Sequence, residues 1–360
     1  MGAAGGIIRD MPELTRRQLL ALLPAAALAN RVFAQTSAAT IPIRTLNHFQ
    51  ITVTDPKRSI EFYQTLFGMP VQARSDTATL LRIGSGPQFL SIAPVGPGAA
   101  PAITHFCFGV EGFNVERELA VLAQHGVTKS DTRGAMKAVV TTSRQGAQEM
   151  MVGDPDGLQF QLLDVSYCGG SGPLGNVCRV PEPSPKKGLI ALRDISHFTV
   201  FESDGARANQ FYQDLFGLKV RAYQGPPGTA PALAIGPGVQ FVMFAGGGPG
   251  RGAGAGRAAG PAPTPARPAS INHACMNMDG FKPDQVLKTL ESVGIKPRES
   301  QQGPVGPLRH YVTLRMPNRG GAPEGTAELY FTDPDGLLMQ LQDTRYCGGA
   351  GVLGEVCRAV

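Results

Sequence analysis

The sequence predicts an α+β protein: two tandem modules, each of two βαβββ units curling into an open β-barrel-like cleft. Three observations carry the prediction. At 360 residues the chain is long for one core. It matches itself at several widely spaced motifs. Within each copy, short alternating apolar runs and amphipathic runs succeed one another with turn residues between them.

The repeat is explicit. Leu46-Asn47-His48-Phe49 aligns with Ile195-Ser196-His197-Phe198, and Phe62-Tyr63-Gln64-Thr65-Leu66-Phe67-Gly68 with Phe211-Tyr212-Gln213-Asp214-Leu215-Phe216-Gly217. Thr104-His105-Phe106-Cys107 aligns with Asn272-His273-Ala274-Cys275, and Asp154-Pro155-Asp156-Gly157 with Asp333-Pro334-Asp335-Gly336. Each last motif leads into a Gln-Leu pair and then into Tyr-Cys-Gly-Gly, at Tyr167 and Tyr346. The offset between copies grows from 149 (197−48) to 168 (273−105) to 179 (333−154), so the second copy holds two insertions. One is the Gly/Ala/Pro/Arg tract 246–270, which cannot build a core and is expected to be a flexible loop. The other lies near 317–325. The modules are 44–180 and 193–360, joined by a linker at 181–192.

Each element follows from local signals. Phe49, Ile51 and Val53 alternate with polar residues, as a half-buried strand does. Asp55-Pro56 opens a helix that carries Ile60, Tyr63, Leu66 and Phe67 on one face and stops at Gly68. Short strands follow around 80–83 and 89–93. His105 lies at the start of another strand, and a second helix is expected over about 115–125, before Gly126. The last two strands flank the Asp-Pro-Asp-Gly turn, a hairpin signal. The second copy repeats the series.

Composition narrows the function classes. A formal net charge of +5, without a Lys/Arg block beyond Lys186-Lys187 and with no Trp, argues against nucleic-acid binding. Residues 1–34 read as a targeting segment. Arg16-Arg17 precedes an apolar stretch from Leu19 to Ala29, too short to span a bilayer and interrupted by Pro24, and Val32-Phe33-Ala34 supplies a cleavage site. The pattern resembles a twin-arginine export signal. It implies a periplasmic or secreted protein without stable membrane anchoring. The alternative is an amphipathic N-terminal helix with incidental arginines.

The His-bearing first strand, the F-Y-x-x-L-F-G helix end and the D-P-D-G hairpin resemble the vicinal oxygen chelate superfamily. That superfamily includes glyoxalases, bleomycin-resistance proteins and extradiol ring-cleaving dioxygenases. The shared features cover nearly all of 44–166 and 193–345. The resemblance implies metal ligands on strands facing a cleft: His48, His105 and Gln161 in the first module, and His197, His273 and Gln340 in the second. The last position is usually Glu, and a fourth-strand Glu used by some members falls here on Ser91 and Met243. Two imidazoles and an amide leave a divalent ion uncompensated by protein charge. Zinc, nickel or copper then suits the site better than magnesium, with ferrous iron implied only for a dioxygenase. The alternative is that both clefts have lost metal and bind a small molecule directly.

Further repeated pairs belong to the same reading. Cys107 and Cys275 lie two residues beyond the fifth-strand histidines, on the same strand face, as soft ligands or as core thiols. Glu149 and Glu328 precede the D-P-D-G turns by five residues and are candidates for a general base. Tyr330 stands where extradiol dioxygenases, by resemblance, carry a catalytic tyrosine. The remaining cysteines, Cys168 and Cys178, and Cys347 and Cys357, each flank a glycine-rich tail; in an exported chain they read as disulfides, most simply one per tail, with a crossed pairing as the alternative. The function expected is that of a divalent-metal-dependent lyase or isomerase acting on a small molecule with vicinal oxygens. Ring-cleaving dioxygenase and non-catalytic binder are the alternatives. Oligomeric state is left open by the sequence.

Overall fold

The structure is a computed structural model, and it describes residues 39–75, 77–226, 228–246 and 268–360. The export-signal reading and most of the Gly/Pro tract lie outside these residues. The first strand, β1 (Ile43–Val53), leads into helix α1 (Pro56–Phe67) and strands β2 (Val71–Arg74), β3 (Thr79–Arg82) and β4 (Phe89–Pro94). A second unit follows: β5 (Ala102–Val110), α2 (Val115–Gln124), β6 (Thr128–Lys129), β7 (Lys137–Thr142), β8 (Gln148–Gly153) and β9 (Gln159–Asp164). The second module repeats them as β10 (Leu192–Glu202), α3 (Gly205–Phe216), β11 (Val220–Tyr223), β12 (Pro231–Ala234) and β13 (Phe241–Gly246). It continues with β14 (Ser270–Met278), α4 (Pro283–Ser292), β15 (Lys296–Pro297), β16 (Arg309–Arg315), β17 (Thr326–Thr332) and β18 (Leu338–Asp343). The two-residue edge strands β6 and β15 are absent from the sequence reading, because two exposed residues carry no periodicity.

Local chemistry sets the helix ends. The Asp55 carboxylate accepts from the Arg58 amide at the start of α1, and Gly68 ends it in the left-handed conformation at φ 65°. Gly68 also meets the linker: a Cβ there would lie 2.4 Å from the Lys187 carbonyl oxygen, so no side chain fits. Asp204 and Gly217 play the same parts for α3.

Each module forms one nine-stranded mixed sheet, in the order β2-β3-β4-β1-β5-β9-β8-β7-β6 and its counterpart in the second module. The two units of each module therefore meet along the antiparallel central pair β1 and β5, or β10 and β14. This is the four-unit architecture the repeat predicted. Across the first sheet, register aligns Phe89, His48, Cys107, Gln161, Met151 and Val139 in one row. The second sheet aligns Phe241, His197, Cys275, Gln340, Tyr330 and Tyr311.

The opposite faces of the two sheets pack on each other and on the helices through one shared core. Phe198 stacks on Phe106 with ring centroids 5.1 Å apart and meets Phe49 edge-on at 5.7 Å. Helices cross between modules: Tyr212 of α3 packs on Phe160 of the first sheet, and Phe67 of α1 on Phe331 of the second. The D-P-D-G turns complete the interlock. Tyr63 donates to Asp333 and Tyr212 to Asp154, while Asp335 takes Thr54 and Arg58, and Asp156 takes Ser203 and Arg207. Each histidine face is thus the one turned away from the other module.

Two disulfides, Cys168–Cys178 and Cys347–Cys357, close the tails within each module, as the simpler pairing predicted. The tail folds over the sheet, and Asn47 donates to the Tyr167 carbonyl. Among the described residues no helix is long and apolar enough to cross a membrane.

Candidate metal and substrate clefts

The first cleft is built on β1, β5 and β9. His48 is buried and stacks flat on Phe89, with ring centroids 4.3 Å apart and an interplanar angle of 11°. His105 stands edge-on to it at 5.6 Å. Each imidazole bonds through Nδ1 to the side chain of the residue before it. For His48 the partner is Asn47 Oδ1 at 2.8 Å, and for His105 it is Thr104 Oγ1 at 3.4 Å. With Nδ1 donating to Asn47, the Nε2 lone pair of His48 is left for the cleft, the outer-shell device that orients a metal-binding imidazole. Burial lowers the His48 pKa well below its ordinary value, with neighbouring His105 adding to the effect. Burial, with Arg133 nearby, takes His105 to about 4. Both rings are therefore neutral at physiological pH, the state in which imidazole coordinates. The Gln161 amide lies within reach of both.

The second cleft repeats the design more tightly. The Nε2 atoms of His197 and His273 face each other at 3.4 Å, and their Nδ1 atoms bond Ser196 Oγ at 3.1 Å and Asn272 Oδ1 at 2.8 Å. Burial lowers both pKa values, that of His273 to about 4. Gln340 is 1% exposed, and neither its amide oxygen nor its nitrogen has a hydrogen-bond partner of good geometry. A buried amide left unsatisfied costs about 1–3 kcal/mol. A cation between these three side chains would relieve that cost, so the donor set fits a divalent ion.

Among the described residues, no group of three His, Cys, Asp or Glu could hold a metal. Cys107 and Cys275 lie in the histidine row; both are fully buried, and their Sγ atoms point to the carbonyls of Phe108 and Met276. Burial raises both thiol pKa values.

The modules differ beyond the shared donors. In the first, a cavity of about 420 Å³ opens over His48, His105 and Gln161, with Gln50, Ser91, Glu149 and Tyr167 on its walls and Arg74, Arg133 and Arg144 at its rim. Glu149 accepts from the Tyr167 hydroxyl at 2.7 Å. In the second module the corresponding space is occupied. The side chain of Arg315 is 0% exposed and donates from Nε to Glu328 Oε1 at 2.7 Å; Tyr346 donates to the same oxygen at 3.2 Å. Tyr330 stacks on Tyr311 at 5.0 Å and meets His273 edge-on at 5.3 Å, where the first sheet has the smaller Met151 and Val139. The structure thus brings Glu149 to an open cleft and ties Glu328 into a buried ion pair.

Sequence reasoning missed Tyr167, Gln50 and Arg133 as cleft residues. Tyr167 was visible as half of a repeated pair with Tyr346. Arg133 carries no signal, since exposed arginines abound and only folding sets this one beside His105.

Known proteins bear on this geometry. The sequence family described as the glyoxalase/bleomycin resistance protein/dioxygenase superfamily matches residues 45–162, nearly the whole first sheet. The first module is thus similar to members of this superfamily. No curated protein matches its sequence. Among solved structures, homoprotocatechuate 2,3-dioxygenase from Brevibacterium fuscum, in complex with 3,4-dihydroxyphenylacetate, is similar with a TM-score of 0.55 and 18% identity, over 85% of this chain and 82% of that one. The Mn(II)-bound glyoxalase from Novosphingobium aromaticivorans is similar with a TM-score of 0.53 and 14% identity, over 84% and 82%. A 2,3-dioxygenase from a Pseudomonas species gives 0.55 and 15%, over 84% and 93%. At such identities the likeness is one of fold, and a fold leaves the reaction open.

Proposed function

We propose that the chain is an exported, divalent-metal-dependent lyase or isomerase of the glyoxalase kind, and that its first module is the catalytic one. The observation that carries this reading is the coincidence, in that module alone among the two donor sets described, of neutral paired imidazoles with an open cavity and a wall carboxylate held by the Tyr167 hydroxyl and, among the described residues, in no ion pair. His48, His105 and Gln161 would hold the ion. A divalent ion bound there supplies Lewis-acid polarisation of adjacent substrate oxygens. Glu149 then takes or returns the proton of the carbon beside those oxygens. Tyr167 orients it, since burial and the nearby Glu149 raise the phenol pKa and keep it a donor.

Neutral donors favour zinc, nickel or copper over magnesium. The ring-cleaving alternative lacks its carboxylate ligand in both modules, because Gln161 and Gln340 occupy the last-strand positions. Export is supported by the two disulfides and by the Arg16-Arg17 segment.

Metal analysis of the protein purified from a periplasm, with and without chelator, tests the reading. Bound zinc, nickel or copper is expected, with activity on a vicinal-oxygen substrate lost in a His48→Ala/His105→Ala variant and retained in His197→Ala/His273→Ala. A metal-free protein indifferent to chelator overturns it, as does oxygen uptake with a catechol.

A further inference from the structure

The duplication gives the first cleft an internal template. Thr141 faces Glu149 across β7 and β8, and Thr313 faces Glu328 across β16 and β17, so two residues further on Ser143 corresponds to Arg315. In the second module the Arg315 guanidinium is fully enclosed. It donates to Glu328 at 2.7 Å, to the Gly320 carbonyl at 2.9 Å and to the Gly349 carbonyl at 2.9 Å, and it lies 6.0 Å from the Tyr346 ring centre. Its surroundings recur in the first module as Glu149, Tyr167 and Gly170, and all three line the cavity together with Ser143. The tail disulfide fixes this wall, since a Cβ on Gly170 would lie 2.6 Å from Cys178 Sγ. The first module therefore keeps three of the four groups around that cation, the Gly320 carbonyl having no counterpart, and has Ser143 in the arginine's place.

We infer that this corner of the first cleft is a subsite for an organic cation, a guanidinium or ammonium group carried by the ligand and seated against Glu149 and the face of Tyr167. Carboxylate, carbonyl and aromatic face are the partners such a group takes in the second module. Among the arginines at the rim, Arg74 is paired with Glu182 at 2.7 Å, and Arg133 lies close enough to His105 to act on it electrostatically. The ligand then also carries an anionic group toward Arg133, which makes it a zwitterion. A carboxylate offers about four lone-pair positions, so a bound cation and Tyr167 leave Glu149 room for a proton. The inference goes beyond the metal reading and does not depend on it, because the cage contains no metal donor.

The test uses the full mature chain, stripped of metal, titrated with 4-guanidinobutanoate and with 4-ureidobutanoate by calorimetry or ligand-observed NMR. The two probes share a carboxylate and shape but differ in head-group charge. The guanidino compound is expected to bind about tenfold or more tightly than the urea, the scale of one charge-assisted hydrogen bond. Glu149→Gln is expected to erase that preference, and Ser143→Arg, which restores the second module's arrangement, to abolish binding of both. Equal affinity for the two probes in the unaltered protein, no binding of either, or a preference that survives Glu149→Gln overturns the inference. If Glu149→Gln does not fold, the comparison of probes on the unaltered chain decides. A metal-free natural protein that still discriminates the probes separates this inference from the catalytic one.

Discussion

The buried pair of Arg315 and Glu328 is the sharpest structural difference between the modules, and its removal has a calculable effect. Their side chains are 0% and 4% exposed. Arg315→Ala removes donors from the Glu328 carboxylate and from the Gly320 and Gly349 carbonyls, and leaves Glu328 buried with only Tyr346 at 3.2 Å and Thr313 at 3.4 Å. An uncompensated buried charge of this kind costs about 3–5 kcal/mol. At roughly 2 °C per kcal/mol for a large cooperative unit, Tm falls by about 6–10 °C. Thermal and urea unfolding followed by circular dichroism measure both quantities. Replacing the pair together, as Arg315→Met with Glu328→Leu, removes the charge as well as its partner and is expected to recover most of the loss. The reasoning is refuted if the single variant stays within about 1 kcal/mol of the parent, or if the double variant is less stable than the single one.

Other outcomes follow from the interlock and the tails. Glu202 stands where the first module has Val53 and is 6% exposed; burial, with Asp154 and Asp156 beside it, pushes its carboxyl from an ordinary 4.5 up to about 10. A raised pKa means the folded state holds the proton more tightly, so stability is full below about 4.5 and declines as pH rises toward 10, by no more than about 1.4 kcal/mol per pH unit. Glu202→Val should flatten that decline, unfolding at higher temperature than the parent at pH 8 and at a similar one near pH 4; parallel curves would show that the carboxyl does not titrate in this window. Cys168→Ser with Cys178→Ser opens a loop of sequence separation 10 and should cost about 2–3 kcal/mol in urea unfolding, an unchanged midpoint being the contrary result. The same variant should loosen ligands of the first cleft, because Gly169 and Gly170 line it.

Much of the fold was written in local chemistry. Asp55, Pro56 and Gly68 specify where α1 begins and ends whatever surrounds them, and the alternation of Phe49, Ile51 and Val53 fixes which face of β1 is buried. The duplication made those signals count twice, so the four βαβββ units and the side chains that meet in each cleft, His48, His105, Gln161 and His197, His273, Gln340, could be placed from sequence. The same period of two put Cys107 in the histidine row correctly. It could not show that the thiol lies under Phe89 and Tyr167, since depth below a surface depends on neighbouring strands.

The sequence by itself determined the modules, their strands and the side chains each offers to its cleft, because these depend on backbone periods and turn residues within a few positions. Tertiary structure alone decided that the modules share one core with exchanged helix contacts, and that a buried arginine fills in the second module a corner that lines an open cavity in the first. The physical reason is distance along the chain. Arg315 reaches Glu328, Gly320 and Gly349 from separate segments, and an insertion near 317–325 supplies one of its carbonyl partners. No local pattern distinguishes that arginine from an exposed one, yet its guanidinium fills in one module the space that Ser143 leaves free in the other.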